Sequence, residues 1–116
     1  MKVIVYAGAE LLTGDDIAMG VLRYCEALAG SVVAEVIEIP VREADGSLGL
    51  ATLLVGPTSQ MVVKNVKSEL EEVVDLEVMR QLQERTKAQQ DVASISHAVG
   101  HDAGSSGDSD AWEAEY

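Results

Sequence analysis

The stretch "SVVAEVIEIPVREADGSLGLATLLVG", residues 31–56, places Asp45-Gly46 between two apolar runs. Asp-Gly in this setting is a strong signal for a β-hairpin with a two-residue turn, because Asp and Gly tolerate the positive φ angles that such a turn needs. That turn would align the apolar side chains of the two strands on one face. The predicted pairs are Val41 with Leu50, Ile39 with Thr52, and Ile37 with Leu54.

Pro40 lies inside the first strand of this hairpin. Proline has no N–H to donate to a sheet ladder, so it is found where one side of a strand is unpaired or where the strand bulges. We therefore expect the strand to have a free side at Pro40, and that free side marks a candidate sheet edge.

The residues before the hairpin predict a strand and then a helix. "KVIVYAGA", residues 2–9, begins with β-favouring residues and predicts a buried strand. The apolar period then becomes helical, with Thr13 placed to cap the helix and Gly30 placed to supply a left-handed residue at its end. The buried stripe of this helix is predicted to contain Ile17, Val21, Tyr24 and Leu28.

The residues after the hairpin predict one more strand and one more helix. "QMVVKNV", residues 60–66, predicts a strand, and a helix is expected from Asp75, as N-cap, to about Gln90. Residues 68–74 fit either an early helical turn or an extended segment. The inward side chains of the second helix are predicted to be Leu76, Met79 and Leu82, with Glu84 and Lys87 as a surface pair.

The element order β-α-β-β-β-α predicts an α+β fold with a mixed sheet of about four strands and two helices packed on it. A right-handed crossover would make the first two strands parallel, and the hairpin would make the third antiparallel to the second. Residues 1–90 are predicted to form this single domain. Residues 91–116 lack apolar periodicity and are rich in Gly, Ser and Asp, so we expect a disordered acidic tail.

Charge and cysteine content limit the partners and the compartment. The chain carries 20 Asp and Glu against 8 Lys and Arg, a net charge of −12. Without a basic stripe it lacks the main driving force for nucleic-acid binding, so no nucleic-acid partner is expected. The apolar run at the start is too short to span a bilayer, so no membrane partner is expected. Cys25 is the single cysteine and cannot form an internal disulfide, which favours a cytoplasmic location.

His97 and His101 are the two histidines, and their spacing suits two metal ligands on one helix face, with Asp102 as a third. The second histidine follows Gly100 and precedes a Gly/Ser-rich run, which disfavours a helix that carries both. A solvated tail also lacks the supporting contacts of a preformed site. We therefore predict no metal or other cofactor, and keep the two histidines as weak metal candidates.

Two loops are candidates for ligand binding. Thr58, Ser59 and Gln60 of "GPTSQ" follow a very apolar strand and could line a polar niche, although turn chemistry alone explains Gly and Pro there. Glu10, Asp15 and Asp16 could bind a hard cation, although capping of the first helix is the better explanation of the two aspartates. In the predicted topology these loops lie at different ends of the sheet, which argues against one shared active site.

Nucleotide binding and nucleophilic catalysis find little support. The phosphate-loop spacing is wrong, and Asp15 and Asp16 stand where a cation and a hydroxyl are needed. Cys25 falls in the apolar part of the first helix, where a core role is expected. Ser59 has no histidine nearby in sequence and no nucleophile elbow. The catalytic residues are therefore unknown, and the chain is more consistent with a protein that is not an enzyme.

Trp112 and Tyr116 are aromatic residues in an acidic segment, the pattern of a short motif that binds a basic, grooved partner. We predict a small non-catalytic protein that acts by protein association or self-association, with the acidic tail as tether or solubiliser. The alternative is a small-molecule-binding domain or enzyme that uses "GPTSQ" or the loop of Glu10, Asp15 and Asp16. A further alternative is an acidic decoy of nucleic-acid-binding surfaces.

The interpretation of the histidines makes a prediction about metal. Micromolar zinc should leave the melting temperature of the protein unchanged, because a ligand that binds folded and unfolded chains alike gives no stabilisation. Thermal unfolding with and without zinc measures this, with His97→Ala as the control. A zinc-dependent rise in melting temperature that disappears in His97→Ala would restore the metal site.

Overall fold

The computed structural model describes the backbone of residues 1–102 and the side chains of residues 1–92. Five strands and two helices follow one another along the chain. They are β1 (Lys2–Tyr6), β2 (Ala9–Thr13), α1 (Asp15–Leu28), β3 (Glu35–Arg42), β4 (Leu48–Val55), β5 (Met61–Asn65) and α2 (Leu76–Asp102). The predicted α+β class is correct, and the predicted strand 60–66 is present as β5.

The strands form one sheet in the order β4-β3-β2-β1-β5, and every neighbouring pair is antiparallel. The prediction of a mixed sheet with a parallel first pair was therefore wrong, and the sheet has one strand more than the predicted number of about four. The reason is a tight turn at Ala7 and Gly8, whose φ angles are 51° and 81°. This turn folds residues 9–13 back onto β1 as a fifth strand, whereas the sequence predicted a loop there.

The β3–β4 hairpin is present, but its register differs by one residue from the prediction. Gly46 N–H donates to the Glu43 carbonyl at 2.9 Å, and Glu43 N–H donates to the Ser47 carbonyl at 2.8 Å. Gly46 has a φ of 87°, so the connection is a three-residue loop that ends in a left-handed glycine. The observed pairs are Val41 with Gly49, Ile39 with Ala51, and Ile37 with Leu53.

A slip of one residue moves every side chain of a strand to the opposite face. Leu53 and Val55 are consequently in the core, whereas Leu50 and Leu54, which were predicted to face inward, are 68% and 63% exposed. Their partners in β3 keep the predicted orientation, since Ile37, Ile39 and Val41 are buried.

The first helix follows the predicted stripe. Ile17, Val21, Tyr24 and Leu28 are buried, together with Ala18. The predicted cap was wrong: Gly14 is the N-cap residue, and Thr13 is the last residue of β2, where its buried hydroxyl donates to the Pro40 carbonyl at 2.7 Å. Gly30 is not left-handed either, because the last turn closes through Ala29 in a right-handed conformation.

The second helix begins as predicted. The Asp75 carboxylate accepts a hydrogen bond from Val78 N–H at 3.1 Å, which makes Asp75 the cap. Leu82 is buried and packs close to Gly20 of α1, and Met79 is partly buried, but Leu76 is 74% exposed, contrary to the prediction. Glu84 pairs with Arg80.

The helix continues to Asp102, beyond the predicted end near Gln90. A helix can continue without an apolar stripe where no proline interrupts it, and residues 91–102 contain none. Residues 68–74, left open by the sequence, form neither helix nor strand, and the segment 66–75 places Val73 in the core. The division of the chain at residue 91 into domain and tail stays a prediction.

This segment is held against the start of α1. Asp15 N–H donates to the Glu72 carboxylate at 2.7 Å. The backbone of Val73 approaches Gly14 so closely that a Cβ at Gly14 would overlap the Val73 carbonyl oxygen. Glycine at position 14 is required by this approach and not by its backbone angles, since its φ is −70°.

Gly14→Ala should therefore destabilise the fold by about 1–3 kcal/mol, because the new methyl group displaces the segment that carries Val73. Denaturant unfolding measures the change. The control is Gly30→Ala, since Gly30 has no atom within 4 Å of an added Cβ and no positive φ. Equal stability of the two variants would contradict the close approach at Gly14.

Candidate association surface

The hydrogen-bonding direction of β4 follows from the hairpin turn. In an antiparallel pair the two backbone groups of a residue point to the same side, and the side alternates along the strand. Glu43 and Ser47 exchange a hydrogen bond across the turn, so the odd-numbered residues of both strands bond to each other. The even-numbered residues of β4, from Leu48 to Leu54, therefore direct their N–H and C=O groups away from β3, to the outer edge of the sheet.

The same even-numbered residues direct their side chains to the sheet face opposite the helices, which we call the outer face. The core side chains of β3 and β4 lie on the other face, in one cluster with the buried side chains of α1; they are Ile37, Ile39, Val41, Leu53 and Val55. Across the hairpin, Leu54 lies opposite Val36 and Leu50 lies opposite Pro40. The apolar side chains of the outer face that are more than half exposed here are Val36, Leu48, Leu50 and Leu54, which we call the outer row.

One end of the β4 edge is closed by a chain of hydrogen bonds. The Tyr6 hydroxyl donates to the Leu54 carbonyl at 2.6 Å and lies 2.9 Å from the Ser59 hydroxyl. Ser59 Oγ in turn accepts from Gly56 N–H at 2.8 Å. Since the single proton of Tyr6 is given to Leu54, the Ser59 hydroxyl donates to Tyr6. Although two strands, β3 and β2, lie between β4 and β1, the sheet curls enough to bring these groups together.

The inner edge of β3 is closed at two positions, Val36 and Pro40. β3 pairs with β2 at a single position, Leu12 with Arg42, so most of its length lacks a strand neighbour on that side. Pro40 has no N–H there, and its carbonyl accepts from Thr13. The Val36 carbonyl accepts from the Arg85 guanidinium at 3.0 Å. The expectation that β3 has a free side at Pro40 is therefore correct, but that side faces the inside of the fold and is not the edge of the sheet.

Arg85 is fixed where it closes this edge. Its guanidinium lies 5.0 Å from the centre of the Tyr24 ring and 3.5 Å from the Glu35 carboxylate. A cation over an aromatic face and beside a carboxylate is stabilised by both. Burial raises the pKa of Tyr24 above its ordinary value, so the ring is neutral at physiological pH.

The other outer edge belongs to β5, which differs from β4 in two respects. β5 has five residues whereas β4 has eight, and it carries the exposed Lys64. Short length and a lysine are two of the features that prevent edge strands from pairing with other chains. Lys2 also donates to Asn65 at the end of β5.

Leu48, Leu50 and Thr52 are left without any of these protections. β4 has no charged residue and no proline over its whole length, Leu48–Val55. Within the described part of the chain, no side chain donates to or accepts from the backbone of these three residues. The edge from Leu48 to Thr52 and the outer row beside it form the candidate association surface.

The "GPTSQ" loop joins β4 to β5. Ser59 is engaged with Tyr6 and Gly56, and Ser59 N–H donates to the Gly56 carbonyl, whereas Thr58 and Gln60 are exposed. The loop therefore lies against the end of β1, not at the far end of the sheet as the predicted topology required.

The three acidic residues of the second loop are distributed over two elements. Glu10 lies in β2, while Asp15 and Asp16 begin α1. The Asp15 carboxylate is 2.9 Å from the Met1 ammonium, which also contacts Glu72 at 3.0 Å. Among the described residues, no group of three His, Cys, Asp or Glu is arranged to hold a metal ion.

Cys25 is partly buried beside the core, and burial raises the pKa of its thiol to about 11. The thiol is therefore protonated near neutral pH and a poor nucleophile. The backbone positions of His97 and His101 lie within α2, so the helical spacing extends further than expected. Their side chains, and the whole of Trp112 and Tyr116, lie outside the described residues.

Two shallow grooves are present in the described region. One, of about 230 Å³, lies between β3 and α2 and is crossed by Arg85. The other, of about 370 Å³, lies between α1 and α2 and includes Asp16, Arg23 and Lys87. Neither groove includes "GPTSQ" or Cys25. No helix in residues 1–102 has the length and hydropathy needed to cross a bilayer.

Comparisons of the chain with protein families, with curated proteins and with solved structures gave no match. The properties of the candidate surface therefore rest on its own geometry. This surface was not predicted from the sequence, because the predicted register placed Leu50 and Leu54 in the core. A usable signal was present, since "LGLATLLV" has leucine at both odd and even positions and no charge in eight residues, so either register exposes leucines.

The two faces of β4 give a stability prediction. Leu53→Ala should cost about 2–5 kcal/mol, because Leu53 is 5% exposed and its loss leaves a cavity. Leu54→Ala should change stability by no more than about 0.5 kcal/mol, because its side chain is exposed. Denaturant unfolding of dilute protein measures both. The reverse order of costs would mean that the predicted register, not the observed one, is right.

Proposed function

We propose that the protein works by association, adding a strand of another polypeptide to the outer edge of β4, beside the outer row. One observation carries the proposal: within residues 1–102 the edge from Leu48 to Thr52 has no backbone group bound by a side chain, no charge and no proline, whereas β3 has bound groups at Pro40 and Val36 and β5 is shorter and carries a lysine. A long uncharged edge with free backbone groups is a template for strand addition.

The energetics are compatible with a weak association. A strand added at the edge meets the outward side chains of β4 in cross-strand pairs, each of which contributes about 0.2–1 kcal/mol. Each new backbone hydrogen bond adds about 0.5–1.5 kcal/mol. These gains are opposed by the entropy of association, which is of the order of 4–15 kcal/mol. The balance corresponds to a reversible complex.

The alternative of a small-molecule site or an enzyme has less support. The Ser59 hydroxyl is occupied in the hydrogen-bond chain to Tyr6, and the Cys25 thiol is protonated. The groove between the helices has charged side chains at its rim, but all three of its charged residues are exposed to solvent. The further alternative, an acidic decoy of nucleic-acid-binding surfaces, is supported by the net charge alone. The proposed role of residues 91–116 is that of a tether or solubiliser.

The proposal is tested with a strand-forming probe, a fluorescent peptide of alternating Val and Thr with a lysine at each end. Its positive charge complements the acidic protein, and its sequence is unrelated to β4. We expect saturable binding by fluorescence anisotropy, and at least tenfold weaker binding to Leu50→Pro. Proline at position 50 removes an N–H that points outward, so the bonds to β3 are kept.

Matched variants identify the contact. Leu50→Ala keeps the N–H and loses only the side chain, so it should bind the peptide more tightly than Leu50→Pro. Val62→Lys changes an exposed residue of β5 outside the surface and should bind like the parent. If Leu50→Pro is poorly folded by circular dichroism, Thr52→Pro replaces it, because its N–H also points outward. Binding that none of these proline variants weakens, or no binding at all, contradicts the proposal.

A further inference from the structure

Building on the proposed function, we infer that the polypeptide that pairs with β4 is a second copy of this chain, antiparallel to the first, with a two-fold axis beside Leu50. The inference concerns the partner and the register of the same edge. It follows from which backbone groups remain free and from how they are spaced.

The free groups form a short symmetric set. The outward residues of β4 are Leu48, Leu50, Thr52 and Leu54, and the Leu54 carbonyl is already bound by Tyr6. Leu48, Leu50 and Thr52 remain with both an N–H and a C=O directed outward, six groups that we call the free groups, whereas Leu54 keeps only its outward N–H. Leu50 is the middle of the three. A strand whose free groups are symmetric about one residue can pair with a copy of itself around that residue.

In the register centred on Leu50, Leu50 pairs with Leu50 of the second copy, and Leu48 pairs with Thr52 of the second copy. Each of the free groups is used once, in about six hydrogen bonds. A register centred on Ala51 would bring Leu54 into the ladder, with its carbonyl already occupied. A register centred on Gly49 would require Gly46, which has a φ of 87° and is not extended. The register at Leu50 avoids both conflicts.

Charge distribution along β4 is compatible with two identical chains at this edge. The net charge of −12 opposes contact between two copies. β4 itself is uncharged, and the nearest acidic side chain of the outer face is Glu38, one strand away, opposite Thr52. No carboxylate of the outer face lies on β4, but the Glu43 carboxylate lies against Gly49 on the other face, so salt should strengthen the contact by screening it and the rest of the chain.

The outer row also matches itself. In this register Leu48 and Leu50 of each copy lie beside Thr52 and Leu50 of the other on one continuous outer face. The contact is smaller than the roughly 1,600 Å² typical of stable complexes, so a concentration-dependent dimer is expected. A partner of different sequence would need charges or pockets to select it, and β4 offers neither.

The test is disulfide cross-linking of the full chain. Directly paired, hydrogen-bonded residues of antiparallel strands have Cα atoms about 5.5 Å apart, within the range of a disulfide. Leu50→Cys should therefore form covalent dimers under mild oxidation. Leu54→Cys is the matched control because Leu54 is equally exposed, but it faces residue 46 of the second copy, so the two Leu54 positions are about 27 Å apart along the strands. Cys25 contributes little because its thiol is protonated.

We expect dimers from Leu50→Cys at least tenfold faster than from Leu54→Cys, measured by non-reducing electrophoresis. Sedimentation of the parent chain should show a dimer that increases with protein and salt concentration and is lost in Leu50→Pro. Equal cross-linking of the two cysteine variants, or a dimer unaffected by Leu50→Pro, overturns the inference. A strict monomer that still binds the Val/Thr peptide overturns the inference that the partner is a second copy and leaves the proposed function standing. A monomer that binds no peptide overturns both the inference and the proposed function.

Discussion

The loop from Glu43 to Ser47 is the constraint on which the outer part of the structure depends. Its length and the left-handed conformation of Gly46 determine which residues of β4 face β3. This choice places Leu53 and Val55 in the core and Leu50 and Leu54 outside. It also directs the backbone of the even-numbered residues outward. One local turn thus decides both the core contribution of β4 and the chemical character of the free edge.

The sequence predicted those features that depend on short-range patterns. The helical stripe of α1 and the Asp75 cap are correct because spacing and capping chemistry are local. The β1–β2 hairpin was missed because its turn places Ala7 at a positive φ, which alanine rarely adopts. Thr13 was assigned to the helix because its tertiary partner, the Pro40 carbonyl, is 27 positions away and invisible to a local pattern.

The register of β4 could not be predicted for a different reason. Alternation fixes a register only when one face of the strand is polar, and β4 has leucines on both faces. The sequence was compatible with a two-residue turn and with a three-residue loop, and the hydrophobic pattern of β4 did not distinguish between them. The same ambiguity explains the candidate surface: a strand that is apolar on both faces exposes one apolar face in either register.

Side chains bind backbone groups along the inner edge of β3, so the free backbone groups of β4 are not typical of the whole sheet. Along β3, a proline, a threonine hydroxyl and an arginine each close a separate backbone position. At β4, the Tyr6 hydroxyl binds the Leu54 carbonyl, and no side chain of the described residues binds the backbone of Leu48, Leu50 or Thr52. Occupation of the Leu54 carbonyl leaves three outward residues that keep both an N–H and a C=O in the described part of the chain, with Leu50 at their centre, which limits the ways a second strand can align. An edge trimmed to a symmetric length selects one register, whereas an edge left free along all eight residues would allow several.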